Sequence, residues 1–287
     1  MQPSSHLQFS HKDADLYIPD ARVEAFLRTT HLAVGAHQDD LEFMAMHGIL
    51  ECYDNEDKWF GGVTCTNGAG SARKGEYATF SDQEMQKIRA KEQCEAARIG
   101  QFSFIAQLAH PSSHLKDSNN HQTESDLLQI LSATQPEVVY THNLADKHST
   151  HIAVASSLIK AIRKLPKDIR PKQLIGCEVW RDLDWMPDDK KIVMDVSKHP
   201  QLATELNGLF LSQISGGKRY DLAVAGRRRA NATFFDSHSV DQADSVVFGM
   251  DLSPLIEDDT RCPEDYVLNY IEEFKNDVRK QISYFFR

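Results

Sequence analysis

Short apolar runs alternate with longer amphipathic stretches along the first 170 residues of this chain. The first run, His-Leu-Ala-Val-Gly-Ala at residues 31–36, is typical of a buried strand, and an apolar periodicity typical of a helix follows over residues 42–53. Further strands are predicted at residues 60–66, 102–108 and 137–141. Strands separated by helices form βαβ units, so the pattern predicts an α/β fold with a mainly parallel sheet covered by helices on both faces.

Local signals mark where several helices begin and end. Ser81 and Glu84 have the spacing of a capping box, and Gly100 is a typical helix stop. The alternation is less regular beyond Pro171, where the pattern predicts strands at 174–180 and 191–196 and helices at 202–211, 220–234 and 264–285. We interpret residues 1–287 as one domain, in which residues 171–287 complete the sheet and the substrate side begun by residues 31–165.

Composition and charge narrow the choice of partners. The chain is 41% hydrophobic and 26% charged, with 32 Lys and Arg against 42 Asp and Glu, for a net charge of −10. This excess of acidic groups opposes nucleic-acid binding, which depends on cations that neutralise phosphates. The one basic run, Arg227 to Arg229, lies within a helical pattern, where it is either a solvated or salt-bridged face or a contact with substrate or another subunit.

Cysteine usage and the start of the chain indicate a cytoplasmic protein. The five cysteines are an odd set without CxxC spacing, which argues against a disulfide framework and a thiolate zinc site, and we expect them to be buried and reduced. Residues 1–20 lack the features of a signal peptide, and no run approaches the ~18 apolar residues of a membrane span.

Polar side chains of the types that bind metal follow two of the predicted strands. His37, Asp39 and Asp40 follow the first strand, and the strand that ends at Thr141 is followed by His142, Asp146, His148 and His151. Ligands of an open α/β sheet bind beyond the carboxyl ends of its strands. A hydrolytic zinc ion needs three nitrogen or oxygen ligands and one open position for water, and these two segments can supply that set.

Spacing assigns roles within the two segments. His37 and Asp40 stand three apart at the start of a helix, as do His148 and His151, so the members of each pair lie on one side of their helix. Adjacent carboxylates point apart, so Asp40 can bind metal while Asp39 faces the reactive water. The predicted ligands of one Zn²⁺ per chain are His37, Asp40 and His151, with Asp39 as general base and His148 as a group that stabilises charge or donates a proton.

Each segment has a purely structural alternative. A histidine at a strand end is usually a hydrogen-bonded structural residue, and two aspartates before a helix usually act as an N-cap and a partner of the helix dipole. Unrelated caps have no reason to converge as two histidines and a carboxylate at successive strand ends. The combination therefore favours a metal site.

These residues resemble the signatures of the PIG-L/LmbE family of zinc-dependent deacetylases. Residues 36–42, Ala-His-Gln-Asp-Asp-Leu-Glu, resemble AHPDDxE, and residues 146–151, Asp-Lys-His-Ser-Thr-His, resemble DxHxDH. Residues 66–68 and the helical segment from Arg89 to Gly100 match the pattern between the two signatures. The resemblance spans roughly the first 160 residues. It implies a Rossmann-like, doubly wound fold and removal of the N-acetyl group from an N-acetylglucosamine-type sugar or glycoconjugate.

Further residues are candidates for contacts with the sugar. Asn67 lies in the matched segment, Arg73 and Arg89 are candidate ligands for a phosphate or carboxylate, and His238 can reach the acetyl pocket from the second half of the chain. For Arg89 an ion pair with Glu92 is an equal alternative, and for His238 a surface position is the alternative. Relatives commonly assemble, so a homo-oligomer is consistent with the resemblance.

Three departures from the family pattern affect the expected site. Gln38 replaces the usual Pro, which should loosen its loop, and the polar loop at residues 108–114 differs from that of relatives. Thr150 replaces the Asp that helps to orient a histidine. We expect His148 to stabilise the oxyanion in its protonated form, with Asp146 as the compensating carboxylate or else in a solvated or capping role.

Two other functions are compatible with the sequence. The same metal centre can serve an amidase that acts on a larger sugar-thiol conjugate. The second function is that of a non-catalytic protein that binds a sugar or a nucleotide and in which the histidines are structural. Residues 35–38, however, lack the GxGxxG pattern of dinucleotide sites.

Overall fold

The computed structural model describes residues 7–286, in which eight strands form one mixed sheet. The strands are β1 (Asp15–Tyr17), β2 (His31–Gly35), β3 (Phe60–Thr66), β4 (Phe104–His110), β5 (Val138–His142), β6 (Gln173–Cys177), β7 (Lys191–Asp195) and β8 (Val246–Asp251). Their order across the sheet is β1-β4-β3-β2-β5-β6-β8-β7. The five neighbours from β4 to β6 are parallel, whereas β1 pairs antiparallel with β4, and β8 pairs antiparallel with both β6 and β7.

This strand order makes the sheet doubly wound and Rossmann-like, as the sequence predicts. The chain proceeds from β2 to β3 and β4 on one side and then returns to β5 and β6 on the other. β2 and β5 are therefore hydrogen-bonded neighbours at the point where the winding reverses. In open α/β sheets this switch point leaves a crevice at the carboxyl ends of the two strands.

Helices cover both faces of the sheet. They are α1 (Asp40–Met44), α2 (Met46–Cys52), α3 (Asp82–Ile99), α4 (Ser112–Lys116), α5 (Gln122–Thr134), α6 (Ser149–Lys164), α7 (Pro200–Gly208), α8 (Leu211–Ile214), α9 (Tyr220–Phe234), α10 (Pro254–Glu257) and α11 (Pro263–Phe285). α3 begins with the predicted capping box, because the Ser81 side chain accepts a hydrogen bond from the Glu84 amide while the Glu84 carboxylate accepts one from the Ser81 amide. None of these helices is both long and apolar enough to cross a membrane.

Two hydrophobic cores lie on opposite faces of the sheet. Leu32 and Val34 of β2 belong to the core that includes α5 and α6, whereas Ala33 between them belongs to the core that includes α1, α2 and α7. Successive side chains of a strand point to opposite faces, so a strand that is buried on both faces must be apolar throughout. This explains why residues 32–36 form a continuous apolar run rather than an alternating one.

The second half of the chain completes the sheet with β6, β7 and β8, but several elements differ from the predicted ones. The sequence patterns do not identify β1 and β8, and the helix predicted at residues 42–53 is divided into α1 and α2 at Ala45. β6 ends at Cys177 rather than at residue 180. The five cysteines are free, as expected, but Cys94 is only half-buried and Cys262 is exposed.

Candidate active site

The loop between β2 and α1 places three functional side chains at the switch point of the sheet. Asp39 has a φ of 97°, in the left-handed region that a residue with a side chain rarely adopts. Its amide donates a hydrogen bond to Gln93 Oε1 (3.1 Å), and Gln93 Nε2 donates to Glu42 Oε1 (2.9 Å). These buried bonds hold the loop in its strained conformation, which leaves the adjacent Asp39 and Asp40 with different neighbours.

The side chains of His37, Asp40 and His151 converge on one point. His37 Nδ1 lies 3.1 Å from Asp40 Oδ2 and 3.3 Å from His151 Nε2, and the last two atoms are 3.5 Å apart. Asp40 and His151 are buried, and His37 is partly exposed. The loop after β2 supplies His37, the start of α1 supplies Asp40, and α6, which follows β5, supplies His151. The structure thus brings together the three residues that the sequence predicts as ligands.

The spacing of these three donor atoms fits a tetrahedral metal ion. Zinc bonds to histidine nitrogen and carboxylate oxygen are about 2.0–2.2 Å long, and tetrahedral angles then place the donor atoms about 3.4 Å apart. The observed separations of 3.1, 3.3 and 3.5 Å bracket this value. The His151 and His142 rings together with His37 hold the pKa of Asp40 well below its usual range, although burial alone would raise it. An ionised carboxylate at this point is the form that binds metal.

Asp146 orients His151 rather than His148. His151 Nδ1 lies 3.2 Å from Asp146 Oδ2, and a carboxylate only accepts hydrogen bonds, so Nδ1 carries the proton and Nε2 presents its lone pair to the convergence point. Asp146 Oδ1 accepts a hydrogen bond only from the backbone amide of His148 (2.9 Å). The predicted pairing of Asp146 with the His148 ring is therefore wrong, because the short turn between the two residues brings the carboxylate to the backbone of His148.

His148 is held in its neutral form. Burial lowers its pKa, as do the neighbouring rings of His151 and His37, and among residues 7–286 its buried Nδ1 has no hydrogen-bond partner. The ring still lies at the site, since a ring nitrogen lies within 4.8 Å of donor atoms of His37 and His151. Among residues 7–286 no carboxylate oxygen lies within 4.0 Å of its ring nitrogens, so these surroundings favour the neutral ring, and action of His148 in its protonated form stays a prediction.

His142 also lies close to the convergence point, but its contacts indicate that it positions its neighbours and does not bind the metal. Its Nε2 lies 3.4 Å from Asp40 Oδ2, and its ring stacks on that of His151 with centroids 3.8 Å apart. The same Nε2 accepts a hydrogen bond from the Ala36 amide (2.9 Å), which occupies its single lone pair. Burial lowers the pKa of His142 to about 4, so it is neutral. Its position directly after Thr141 at a strand end is the sequence signal that marks it.

Asp39 has the properties of a proton acceptor. Burial raises the pKa of its carboxyl to about 7, against the opposing effect of Arg89 and with a further contribution from Asp40. Arg89 Nη2 lies 3.3 Å from Asp39 Oδ2 and also donates a hydrogen bond to the Gln38 carbonyl. A carboxylate with a pKa near neutrality can take up and release a proton under working conditions.

A cavity of about 630 Å³ opens over these groups. Trp180 and Tyr220 form aromatic parts of its wall, with ring centroids 6.0 Å apart. The Trp180 ring also lies roughly parallel to that of His148, at 6.0 Å. The cavity size is typical of a site for a small molecule, and the aromatic faces suit the apolar face of a sugar ring. The sequence patterns do not single out Trp180, which lies just beyond the end of β6.

Of the four residues predicted to bind substrate, Arg89 lines the cavity and the other three do not. Arg89 lines the cavity but is only 2% exposed and pairs with Asp39, while the Glu92 carboxylate accepts hydrogen bonds from Ser212 instead. Arg73, Asn67 and His238 are not among the residues that line the cavity. Arg73 pairs with Asp82 at the surface, the Asn67 side chain accepts a hydrogen bond from the Ala69 amide, and His238 lies in an exposed turn. Spacing along the chain does not reveal these local partners.

Gln38 tightens its loop, contrary to expectation. Its side-chain amide is buried and donates a hydrogen bond to the Thr66 carbonyl (3.0 Å), which ties the β2–α1 loop to the end of β3. Gly68, with a φ of +72°, allows this approach, since a Cβ at that position would lie 2.7 Å from Gln38 Oε1. The residue that replaces Pro therefore supplies a hydrogen bond that Pro cannot make.

Comparison with known proteins supports the family assignment. Residues 32–162 match the family described as PIG-L: GlcNAc-PI de-N-acetylase. The chain thus contains a PIG-L family domain over those residues, which include all of the converging side chains. No curated protein matches the sequence.

Solved structures share the fold at low sequence identity. Similar structures include the conserved protein TT1542 from Thermus thermophilus, with 20% identity and a TM-score of 0.62 over 78% of this chain and 94% of that one. An N,N'-diacetylchitobiose deacetylase from Pyrococcus horikoshii has 17% identity and a TM-score of 0.61 over 89% and 90%. The 4-carboxy-2-hydroxymuconate hydratase of Pseudomonas putida has 18% identity and a TM-score of 0.59 over 78% and 96%. Since a hydratase shares the architecture, the fold alone does not define the reaction.

Proposed function

We propose that this protein is a zinc-dependent hydrolase that removes the N-acetyl group from an N-acetylglucosamine-type sugar or glycoconjugate. The observation that carries the proposal is the convergence of His37 Nδ1, Asp40 Oδ2 and His151 Nε2 at 3.1–3.5 Å in the cavity that Asp39 also lines. Three donors leave the fourth tetrahedral position open, as in hydrolytic rather than structural zinc sites. The PIG-L domain over residues 32–162 supports the choice of an N-acetyl substrate.

The metal ion and Asp39 have different roles in the proposed hydrolysis. When bound, zinc supplies Lewis-acid activation of a water molecule and of the amide carbonyl. Asp39 accepts a proton from the attacking water and then delivers it to the nitrogen of the departing amine. Its pKa of about 7 suits both steps, because the group must bind the proton and release it within one turnover.

His148 is positioned to stabilise the negative charge that develops on the carbonyl oxygen. A neutral imidazole has one N–H group, and donation of that hydrogen to the oxyanion is strongest in the transition state, when the charge is largest. The Trp180 ring, parallel to His148, then lies beside the sugar and orients it. The amine leaves through the open mouth of the cavity.

The test is acetate release from N-acetylglucosamine, its disaccharide and its glycosides, assayed with zinc-loaded and chelator-treated protein. We expect turnover that needs the metal, and a loss of about 10²–10⁴-fold in kcat in Asp39→Asn, because that variant lacks the general base but keeps the ligands. Asp13→Asn, which changes an exposed carboxylate, is the matched control. Normal turnover in Asp39→Asn would remove Asp39 from this role.

Elemental analysis tests the ligands independently of turnover. We expect one zinc per chain in the wild type and in Asp39→Asn, and little zinc in His37→Ala and His151→Ala. Unchanged zinc in the two histidine variants would contradict the ligand set. Activity confined to larger sugar conjugates would instead indicate an amidase, and zinc binding without hydrolysis of any of these compounds would indicate a binding protein.

A further inference from the structure

One face of α9 forms a wall of the cavity. Tyr220, Ala223, Val224, Arg227 and Arg228 line it, at positions i, i+3, i+4, i+7 and i+8 of the helix. This is the spacing of a single helical face. Arg229 points away and pairs with Asp241 and Asp244 at the surface. The basic run in the sequence is thus split between the cavity and the outside.

The cavity has the opposite charge balance to the chain. Six Lys and Arg residues line it against three Asp and Glu residues, although the chain has a net charge of −10. Asp39 and Asp40 belong to the candidate metal centre. The third acid, Glu178, already accepts hydrogen bonds from the Leu183 amide, the Asn231 side chain and the Phe248 amide.

Arg228 is a buried cation without a paired anion. It is 4% exposed, and among residues 7–286 no carboxylate oxygen lies within 4.0 Å of its guanidinium nitrogens. Its Nη2 donates to the carbonyls of Glu42 (2.7 Å) and Phe43 (3.2 Å), while its Nε has no partner in the described part of the chain. Removal of a charge from water is costly unless an opposite charge accompanies it.

Two more cations lie on the same side of the cavity. Arg227 Nη1 donates a hydrogen bond to the Val179 carbonyl, which places its guanidinium beside Trp180. The charge of Arg227 lowers the pKa of Glu178, but no oxygen of that carboxylate lies within 4.0 Å of the Arg227 guanidinium nitrogens. Lys218 Nζ lies 5.5 Å from the centroid of the Trp180 ring. Both cations therefore flank the aromatic surface that lies parallel to His148.

We propose that Lys218, Arg227 and Arg228 form a subsite for an anionic group, and that the substrate is an N-acetyl amino sugar that carries a phosphate or a carboxylate. The inference rests on the proposed function, because it places the acetyl group at His37, Asp40 and His151 and the anionic substituent at α9. Arg228 then gains its missing counter-charge from the substrate. A guanidinium can bind either group through two parallel hydrogen bonds.

A substrate comparison tests this inference. N-acetylglucosamine is assayed beside its 1-phosphate, its 6-phosphate and N-acetylmuramic acid, which carries a carboxylate. We expect a kcat/KM at least tenfold higher for one charged sugar than for the neutral one, with an advantage that shrinks as salt is added. The preferred compound distinguishes phosphate from carboxylate. Equal kcat/KM for the neutral and charged sugars would overturn the inference.

Variants on two faces of α9 test whether the preference for charged sugars depends on the face that lines the cavity. Arg227→Gln should reduce the ratio of charged to neutral kcat/KM about tenfold or more, because a charge-assisted bidentate contact is lost. Arg229→Gln removes an arginine two positions along on the outer face and should leave the ratio unchanged. An equal loss for charged and neutral sugars in Arg227→Gln would indicate a structural role and would contradict the subsite.

Binding to Asp39→Asn separates this inference from the proposed function. In this variant the predicted general base is absent, and calorimetry should show that it binds the charged sugar more tightly than neutral N-acetylglucosamine. Adding Arg227→Gln to Asp39→Asn should make the two affinities equal. Charge-dependent binding without turnover in the wild type would sustain the subsite but not the hydrolase. Turnover of neutral sugar without charge-dependent binding would sustain the hydrolase but not the subsite.

Discussion

Asp146 shows how one carboxylate can fix the tautomer of a predicted metal ligand, His151. It is buried, accepts a hydrogen bond from His151 Nδ1 and from two backbone amides, those of His148 and Trp180, and so has little freedom to move. A histidine with Nδ1 protonated and held can present only Nε2 to a cation. The position of this one side chain therefore determines which atom of His151 faces His37 and Asp40.

Asp146→Asn should weaken metal binding about 10–100-fold, since outer partners of histidine ligands typically contribute that much affinity. Chelator competition measures the effect, and Asp13→Asn serves as the exposed control. Unchanged metal affinity would show that the contact of Asp146 with His151 does not support metal binding.

Asp39 and Asp40 are the same type of residue, but the pKa values of their carboxyl groups are shifted in opposite directions. Both are buried aspartates, but Asp40 lies among three imidazoles, which keep it ionised, whereas Asp39 pairs with Arg89 and its pKa is raised to about 7 by burial. The left-handed backbone at Asp39 separates the two environments. Neighbours in the sequence thereby receive different chemical roles.

At the scale of elements, α2 packs so closely on the sheet that one position requires glycine. A Cβ at Gly48 would lie 2.5 Å from Tyr140 Cε2 and 3.1 Å from Phe60 Cε2. The Tyr140 ring has little room to move, because it is buried and its hydroxyl is hydrogen-bonded to His47 Nδ1 at 2.9 Å. The approach of α2 to β3 and β5 therefore depends on this glycine.

Gly48→Ala should lower the free energy of unfolding by about 1–3 kcal/mol, because overpacking outweighs the gain in helix propensity of roughly 1 kcal/mol. Gly226→Ala in α9 is the matched control, since no atom lies within 4 Å of a Cβ there. It should stabilise the protein by about 0.5–1 kcal/mol. Urea denaturation measures both, and a stabilised Gly48→Ala variant would refute the packing argument.

At the scale of the whole molecule, a buried histidine far along β2 from the site links stability to pH. His31 lies at the start of β2, where burial lowers its pKa to about 4, with a smaller contribution from Lys58. In the unfolded chain its pKa is about 6.5, so the unfolded state binds the proton first as the pH falls. The stability contributed by neutral His31 is present above pH 6.5 and is lost as the pH falls towards 4.

Between pH 7 and pH 5 this residue alone should reduce the free energy of unfolding by about 2 kcal/mol. Urea denaturation at the two pH values, for the wild type and for His31→Gln, isolates the contribution because all other titrating groups are shared. The variant should lose about 2 kcal/mol less than the wild type over this interval. Parallel losses in the two proteins would show that His31 titrates alike in the folded and unfolded states.

The parallel core of the sheet could be read from the sequence, and the predicted ligand set rests on equally local patterns. Residues 32–36 are apolar throughout because β2 is buried on both faces, and this local property can be read from the residue types. The antiparallel strand β8 escaped prediction because its partners, β6 and β7, are separated from it by tens of residues, and a short apolar segment has no periodicity that distinguishes it from other buried segments. Pairing between distant segments decided that part of the fold.

The contacts around the predicted ligands depend on how distant elements pack against one another. Spacing along the chain places His37 and Asp40 on one side of a helix start, because helical geometry is local. It cannot show that Asp146 bonds to His151, that Arg89 pairs with Asp39, or that Arg228 is buried against α1, because those contacts join different elements whose relative positions are set by packing of the two cores. The prediction of the ligands therefore rests on local information, whereas the protonation and orientation of these side chains and the charge of the cavity follow from the fold.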